Sequence, residues 1–595
     1  MNDTSSTPSA TPIPNNYGVA TSMADVQNQI NEMEAFFETG ATLPVDFRLR
    51  QLRRLQAYLL AHEQEALDAL HADLGKSAFE SYATELGLVY DEIRLYLRKL
   101  RQWARPRRVP TPLAHFPSSS TVYPYPFGVA AVLSPWNYPL QLTLIPLVDA
   151  IGAGNCVALK PSKTSPHTSQ FLRDMCRELF DPRYVYCWHG SNDMNDWLLQ
   201  VEFDKIMFTG SPRVGREIMT AAAQNLTSVT LELGGKSPVF IAADADIRRA
   251  AQRIAWGKCL NSGQTCVGPD YALVHEDVAD EFVEELQRWI HEYYGEDVLA
   301  SPDYPHMINQ KHFDMVCQLI DDRPQGTRIA FGGRRNPTTL QIEPTVVTGV
   351  RIDDPLMSQE IFGPALPVIT WRDVDEALDI VRSIKHPLAC YIFSESRTFQ
   401  RHILDAVRCG GAAINDVVIH ASSNRMDFGG VQNSGIGAYH GKVGFDAFTH
   451  YKSTMKKSTL IETGIRNPPF NEQKLRLLKL PEDTLRALRD GGCTERHARA
   501  LLRLEDPSLR QKALEQILSR QLTVAQTDAL VDQLLSPPPR TRTKRTFVVK
   551  DVRLFLNTLT RSMALMRSAG VDARCDRQDK DGEILLTIRI PQAIR

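Results

Sequence analysis

The chain has 595 residues, of which 43% are hydrophobic and 23% charged, and a formal net charge of −2. Such a length spans several domains with a sizeable core, and the composition excludes wholesale disorder. Ten scattered cysteines with no CxxC spacing argue against a zinc ribbon, a thioredoxin-type site and a disulfide scaffold, and fit a reducing cytoplasm.

The charge is uneven. Residues 471–595 sum to +8 and residues 1–470 to −10, so the two parts are expected to meet different partners. The N-terminal MNDTSSTPSATPIPNN is polar and rich in Pro, Ser and Thr, lacks the apolar core of a signal peptide, and predicts a disordered lead over residues 1–20. No stretch approaches about 18 uninterrupted apolar residues, so no membrane span is expected.

Residues 24–106 repeat apolar side chains every three or four positions with charges between them, which predicts helices. From about residue 121 the texture changes. FGVAAVLS, GNCVALKPS, FDKIMFTGS and SVTLELGG read as short buried strands, with helical stretches such as LTLIPLVDAIGA and SQFLRDMCRELF between them. This alternation predicts a parallel sheet covered on both faces. It continues through SPVFIA, YALVHE, EPTVVTGV and ACYIFS, a second α/β unit over 236–415. NPPFNE at 467–472 is a break, after which the chain is mainly helical and basic. SPPPRTRTKR at 536–545 has linker composition. The last fifty residues read strand (TFVVK), long helix (VRLFLNTLTRSMALMRSAG), strand (EILLTIRI).

Ligands of α/β proteins bind beyond the carboxyl ends of the strands. The turns there carry Asn137 (PWNYP), Lys160 and Lys163 (LKPSK), Gly210 and Gly215 (FTGSPRVG) and Glu232 (LELGGKSP). The second unit adds Cys266 (NSGQTCVG) and Glu360 (EIFGP). A thiol among small polar residues can attack a carbonyl carbon, an amide can hold the oxyanion, and a glutamate can activate water against a thioester. A lysine and a glycine-led helix start suit a phosphorylated cofactor. Taken singly, Cys266 reads as a packed thiol, Glu232 as a cap or ion-pair partner, and Asn137 as a turn former. The glycines of GIGAYHG and IGAGNC lack GxGxxG spacing and are not a dinucleotide fingerprint.

Together and in this order, the six stretches resemble the aldehyde dehydrogenase superfamily. FGGVQNSGIGAYHGKVGFDAFTHYKS at 428–453 and NPPF near 467 resemble its class 3 branch. The resemblance covers about residues 24–470. It implies an α/β fold with a cofactor-binding domain (21–235, with a return segment 416–440), a catalytic domain (236–415) and a bridging β segment (441–470) that pairs subunits into a homodimer. It implies that Cys266 forms a thiohemiacetal and then a thioester, with the oxyanion held by Asn137 and the Cys266 backbone N–H and the water activated by Glu232. It further implies NAD or NADP as cofactor, Lys160 and Glu360 on ribose hydroxyls, Phe362 beside the nicotinamide, and Gly210 and Ser211 near the pyrophosphate. It implies aromatic or medium-chain aliphatic aldehydes as substrates. No metal is implied. His440 either lines the substrate mouth or is a packed histidine.

One position departs from the family pattern. Where many members read KPSE, this chain reads KPSK. A carboxylate there repels a 2′-phosphate, whereas Lys163 removes the repulsion, so NADP is expected to be accepted at least as well as NAD.

Residues 474–535 resemble the helical DNA-binding region of ParB-type chromosome-partitioning and nucleoid-occlusion proteins, through TERHARALLRL and LTVAQTDALV. Residues 546–595 resemble their C-terminal dimerisation segment. The N-terminal nucleotide-binding part of that family, with its GERRxRA stretch, has no counterpart, and neither do the first helices of the helix-turn-helix. The expected divisions of the tail are 471–535, a linker at 536–545, and 546–595. Its positive charge predicts weak, salt-dependent phosphate binding; the alternative is a solvated tail that only dimerises. The rival reading of the whole chain is a DNA-associated partitioning or scaffold protein with a vestigial enzyme part.

Overall fold

The computed structural model describes residues 17–112, 115, 117–189, 192–460, 479–535, 552–568, 572–580 and 583–590. By its internal contacts the chain divides into a large unit, Met1–Ser458, and a small unit, Thr459–Arg595. The expected NPPFNE break, the 536–545 linker and the TFVVK strand lie outside the described residues.

The strands of the first half of the large unit are β1 (Arg107–Val109), β2 (Ser118–Pro126), β3 (Val129–Leu133), β4 (Cys156–Lys160), β5 (Val185–Cys187), β6 (Lys205–Gly210), β7 (Ser228–Leu233), β8 (Pro238–Ile241) and β9 (Tyr271–His275). The second half adds β10 (Arg328–Phe331), β11 (Arg335–Asn336), β12 (Gln341–Ile342), β13 (Thr345–Thr348), β14 (Ala365–Trp371), β15 (Ala389–Phe393), β16 (Gly411–Ile414), β17 (Gly435–Ile436) and β18 (Thr449–Lys457). The runs read as buried strands are strands, because both faces of each sheet are covered and a near-continuous apolar sequence suits that environment.

The first sheet has the order β17-β7-β6-β3-β4-β5, parallel except for β17, which returns antiparallel beside β7. Chain order runs from β3 outward through β4 to β5, then resumes at β6 on the other side of β3. The reversal leaves a crevice beyond the carboxyl ends of β3 and β6, where doubly wound sheets take their ligands. The second sheet has the order β10-β13-β14-β9-β8-β15-β16, and β10 alone is antiparallel to its neighbour. Its strands send alternate side chains to two separate cores: Val239 and Ile241 of β8 to one, Phe240 to the other. A third sheet pairs β1, β2 and β18. β2 and β18 are in antiparallel register from Thr449↔Pro126 to Lys457↔Ser118, and most of β18 is exposed.

Residues 17 and 18, expected as part of a disordered lead, are instead docked. Tyr17 is buried, its hydroxyl accepts from the Cys187 N–H at 3.2 Å, and the Gly18 N–H donates to the Tyr186 hydroxyl at 2.9 Å. The polar composition concealed this, because one aromatic side chain supplies most of the burial.

In the small unit, helices Glu482–Asp490, Glu495–Leu501, Pro507–Arg520 and Val524–Leu535 close around Leu488, Leu501, Leu514, Ile517 and Val531. His497 joins two of its turns, one ring nitrogen against the Thr494 hydroxyl at 2.9 Å and the other against the Leu522 carbonyl at 3.0 Å. Helix Val552–Ser568 and a hairpin of β19 (Arg574–Lys580) and β20 (Glu583–Arg589) complete the described tail.

Candidate active site

The polar residues before Cys266 are the scaffold of its loop. Helix Ile247–Cys259 ends in a left-handed run: Asn261, Ser262 and Gly263 have φ of 52°, 54° and 75°. At Gly263 a side chain is excluded, since a Cβ would lie 2.3 Å from the Gly363 carbonyl oxygen. The Asn261 N–H donates to the Glu80 carboxylate at 2.7 Å, and its side-chain amide donates to the Asn137 carbonyl at 2.8 Å. Gln264 donates to the Asn261 and His306 carbonyls at 2.9 and 3.0 Å and accepts from the Ile308 N–H at 2.9 Å. The Thr265 and Tyr138 hydroxyls lie 2.6 Å apart. These bonds occupy most of the loop's polar groups, Asn261 Oδ1 being without a partner among the described residues, while Cys266 is half-buried.

Cys266 faces a cavity of about 450 Å³, lined also by Asn137, Gly210, Ser211, Glu232, Glu360 and Phe362. These come from the turns after β3 and β6, from the carboxyl ends of β6 and β7 themselves, and from the loop before β14. Lys160, Lys163 and Gly215 do not line this cavity. Lys160 ends β4, half-buried, and Lys163 follows it, exposed. Gly215 has a packing reason: a Cβ there would lie 2.6 Å from Leu233 Cδ2, so its absence lets helix Pro212–Asn225 settle on β7. His440 both lines the cavity and stacks on Phe428, with ring centroids 5.3 Å apart.

The electrostatics follow from burial. The Cys266 thiol is pushed up to about 12 by burial, and further by the Glu360 and Glu232 charges. Burial raises the Glu232 carboxyl well above its usual range, and among the described residues neither of its oxygens has a hydrogen-bond partner. The Glu360 carboxyl is pushed up to about 8, first by burial and then by Asp270. Its Oε2 would lie 2.0 Å from a Cβ at position 234, so the carboxyl rests on the bare Cα of Gly234. The Lys160 ammonium is pushed down to about 8 by burial and then by the neighbouring Lys163 charge. The His440 ring is pushed down to about 4 by burial, and its Nε2 has no hydrogen-bond partner among the described residues.

Sequence reasoning missed the buried ions beneath these loops. Lys236 donates to the Leu356 and Gln359 carbonyls, both at 2.9 Å, and pairs with Asp270. Asp270 in turn accepts from the Ile361 N–H at 3.1 Å, which holds the Glu360–Phe362 turn. Lys76, Glu80 and Glu85 do similar work under Asn137 and Cys266. A charge in a helical stretch reads as a solvated face, and nothing local marks these as buried.

A thiol carried by one α/β unit into the switch-point crevice of another, facing a buried carboxyl and an amide, is built for covalent chemistry at a carbonyl carbon. The chain belongs to the aldehyde dehydrogenase family, whose profile matches residues 13–454, and NAD(P)-dependent aldehyde oxidation is the activity of that family. It is 39% identical over 445 residues to 4,4'-diaponeurosporen-aldehyde dehydrogenase of Staphylococcus aureus, covering 75% of this chain and 96% of that protein. It is 38% identical over 462 residues to aldehyde dehydrogenase family 3 member H1 of Arabidopsis thaliana, covering 78% and 96%. A structure of S. aureus AldH in its substrate-bound state superposes with a TM-score of 0.74 at 39% identity, covering 76% of this chain and 98% of that one. The tail is a fusion to a different family: residues 466–536 match the ParB HTH domain and residues 547–589 the nucleoid occlusion protein C-terminal domain. Among the described residues, no helix is long and apolar enough to cross a membrane.

Proposed function

We propose that the chain oxidises an uncharged aromatic or medium-chain aliphatic aldehyde to its carboxylate through a covalent Cys266 adduct. The observation that carries this is the single cavity shared by Cys266, Asn137 and Glu232. Its other walls include Leu88, Leu142, Leu260, Val418 and Ile419, and among the described residues no lysine or arginine lines it. An anionic substrate would find no counter-charge there, whereas an apolar tail is desolvated favourably.

In this reading Cys266 gives up its thiol proton to solvent water in the cavity, and the resulting thiolate attacks the aldehyde carbon. Asn137 has two amide hydrogens. One is held by the Gln264 carbonyl at 3.1 Å, and the other is left, with the Cys266 backbone N–H, for the oxyanion. When bound, NAD or NADP supplies the hydride acceptor that leaves the acyl group on Cys266 as a thioester. Glu232 takes a proton from the water that hydrolyses the thioester. Its unpartnered oxygens leave it free to do so, and its raised carboxyl means that this step quickens with pH.

The residues present fit the cofactor. Glu360, a half-buried residue at the cavity wall, and Lys160 would hold ribose hydroxyls, and Phe362 would pack beside the nicotinamide. Gly210 and Ser211 offer the start of helix Pro212–Asn225 to the pyrophosphate. Lys163 adds a second cation beside Lys160, and among the described residues neither has an ion-pair partner, which favours a 2′-phosphate.

A cytoplasmic homodimer joined through the exposed edge of β18 belongs to this reading, as does weak DNA binding by the tail. Salt-dependent binding to mixed-sequence DNA that survives truncation after residue 470 would remove the tail's role. The central test is reduction of NAD and NADP by the purified protein with benzaldehyde-type and medium-chain aldehydes. Turnover that disappears in Cys266→Ser is expected. Folded protein that reduces neither cofactor would sink the reading and bring forward the rival DNA-associated protein.

A further inference from the structure

We propose that the buried Lys76–Glu85 ion pair is the positioning element of the oxyanion amide, gripping the main chain from the Asn137 carbonyl to the Gln141 amide; this rests on the reading of Asn137 given above. The Lys76 ammonium meets Glu85 Oε1 at 2.7 Å, and both side chains are wholly excluded from solvent. The same ammonium donates to the Asn137 carbonyl at 3.0 Å and lies 4.0 Å from the Tyr138 ring centroid. The other oxygen of Glu85 accepts from the Leu140 and Gln141 N–H groups at 2.9 and 3.2 Å, capping helix Gln141–Ala153. The turn Asn137–Leu140 is therefore held at its first carbonyl and its last amide by one ion pair.

Neither residue lines the cavity, so neither touches the reacting atoms. Their value is in direction. A buried ion pair is costly to desolvate and is often replaceable by apolar residues without loss of stability. This one delivers three hydrogen bonds to residues 137, 140 and 141. The local backbone serves the same end: the chain passes from helix Ala78–Ser81 through a π-helical turn, Tyr82–Leu86, that carries Glu85. Such turns change which face a residue presents and recur at functional sites. The Asn137 carbonyl takes the Lys76 and Asn261 donors together. Losing one lets the peptide plane turn, and the side-chain amide turns with it.

The test is a double-mutant cycle on the full chain, Lys76→Met against Asn137→Ala, reading kcat, KM for the aldehyde and dinucleotide affinity by protein fluorescence. Lys76→Met is expected to lower kcat by about 100-fold, the cost of a displacement near 1 Å, with dinucleotide affinity unchanged. In the Asn137→Ala background the same change is expected to cost less than about twofold, because the group it positions is gone. An equal loss in both backgrounds overturns the proposal and makes the pair a general stabiliser. Asn137→Ala with undiminished kcat overturns the oxyanion reading beneath it. If Lys76→Met leaves Glu85 too exposed to charge imbalance to fold, Lys76→Met/Glu85→Gln removes both charges, keeps an acceptor oxygen for the Leu140 N–H, and enters the same cycle.

Discussion

Gly263→Ala tests whether the loop carrying Cys266 is held in register with the loop carrying Glu360. Gly263 has φ of 75°, where a side chain costs about 1–2 kcal/mol even in open space. The space is closed: the new Cβ would lie 2.3 Å from the Gly363 carbonyl oxygen and 3.0 Å from Pro364 N, against 3.4–4 Å for ordinary contact. These are backbone atoms and cannot rotate away, so one of the two loops retreats by about 1 Å, a displacement able to cost about 100-fold in rate. Gly268→Ala is the control, since φ there is ordinary and the Cβ would sit 3.0 Å from the Thr265 carbonyl, a contact that a few tenths of an ångström relieve. The assays are kcat for aldehyde oxidation, dinucleotide affinity and the urea midpoint. Gly263→Ala should lose both rate and stability, and Gly268→Ala little of either. Wild-type kcat with an unshifted midpoint in Gly263→Ala would refute the account of this loop.

Glu232→Gln should still reduce one equivalent of cofactor in a rapid burst, then stall as thioester, with steady turnover down by about 10²–10⁴-fold; a linear time course without a burst would show that deacylation uses another base. The wild-type deacylation rate should climb with pH to a higher pH than an ordinary carboxylate base would give, because burial holds the Glu232 carboxyl above its usual range, and the climb should flatten in the variant. His440 titrates near 4 in the fold against 6.5 ordinarily, so its protonation opposes folding. Stability should fall as pH drops from 6.5 towards 4, by about 3 kcal/mol in all, and His440→Gln should flatten that part of a pH series of urea melts. Lys163→Glu should move the NADP/NAD ratio of kcat/KM towards NAD by about tenfold, or ~1.4 kcal/mol; an unchanged ratio would mean that Lys163 only faces solvent.

Much of the fold, and many of the residues that meet at the candidate site, were legible in the sequence by itself. FGVAAVLS, FDKIMFTGS and SVTLELGG announce buried strands because a strand covered on both faces needs a continuous apolar run, and that need is local. The motifs at their ends carry Asn137, Gly210 and Glu232, and their side-chain chemistry is a property of each residue alone. The tertiary structure decided how they meet. The reversal of strand order at β3 and β6 makes the crevice, and sheet order is a matter of long-range pairing. The tie between the Asn137 amide and the Gln264 carbonyl spans 127 positions, and the Lys76 bond to the Asn137 carbonyl spans 61. In one dimension Lys76 and Glu85 are ordinary helix charges. They become the anchor of the Asn137–Leu140 turn because packing removes water from around them, and an ion without water must find its partner in the protein.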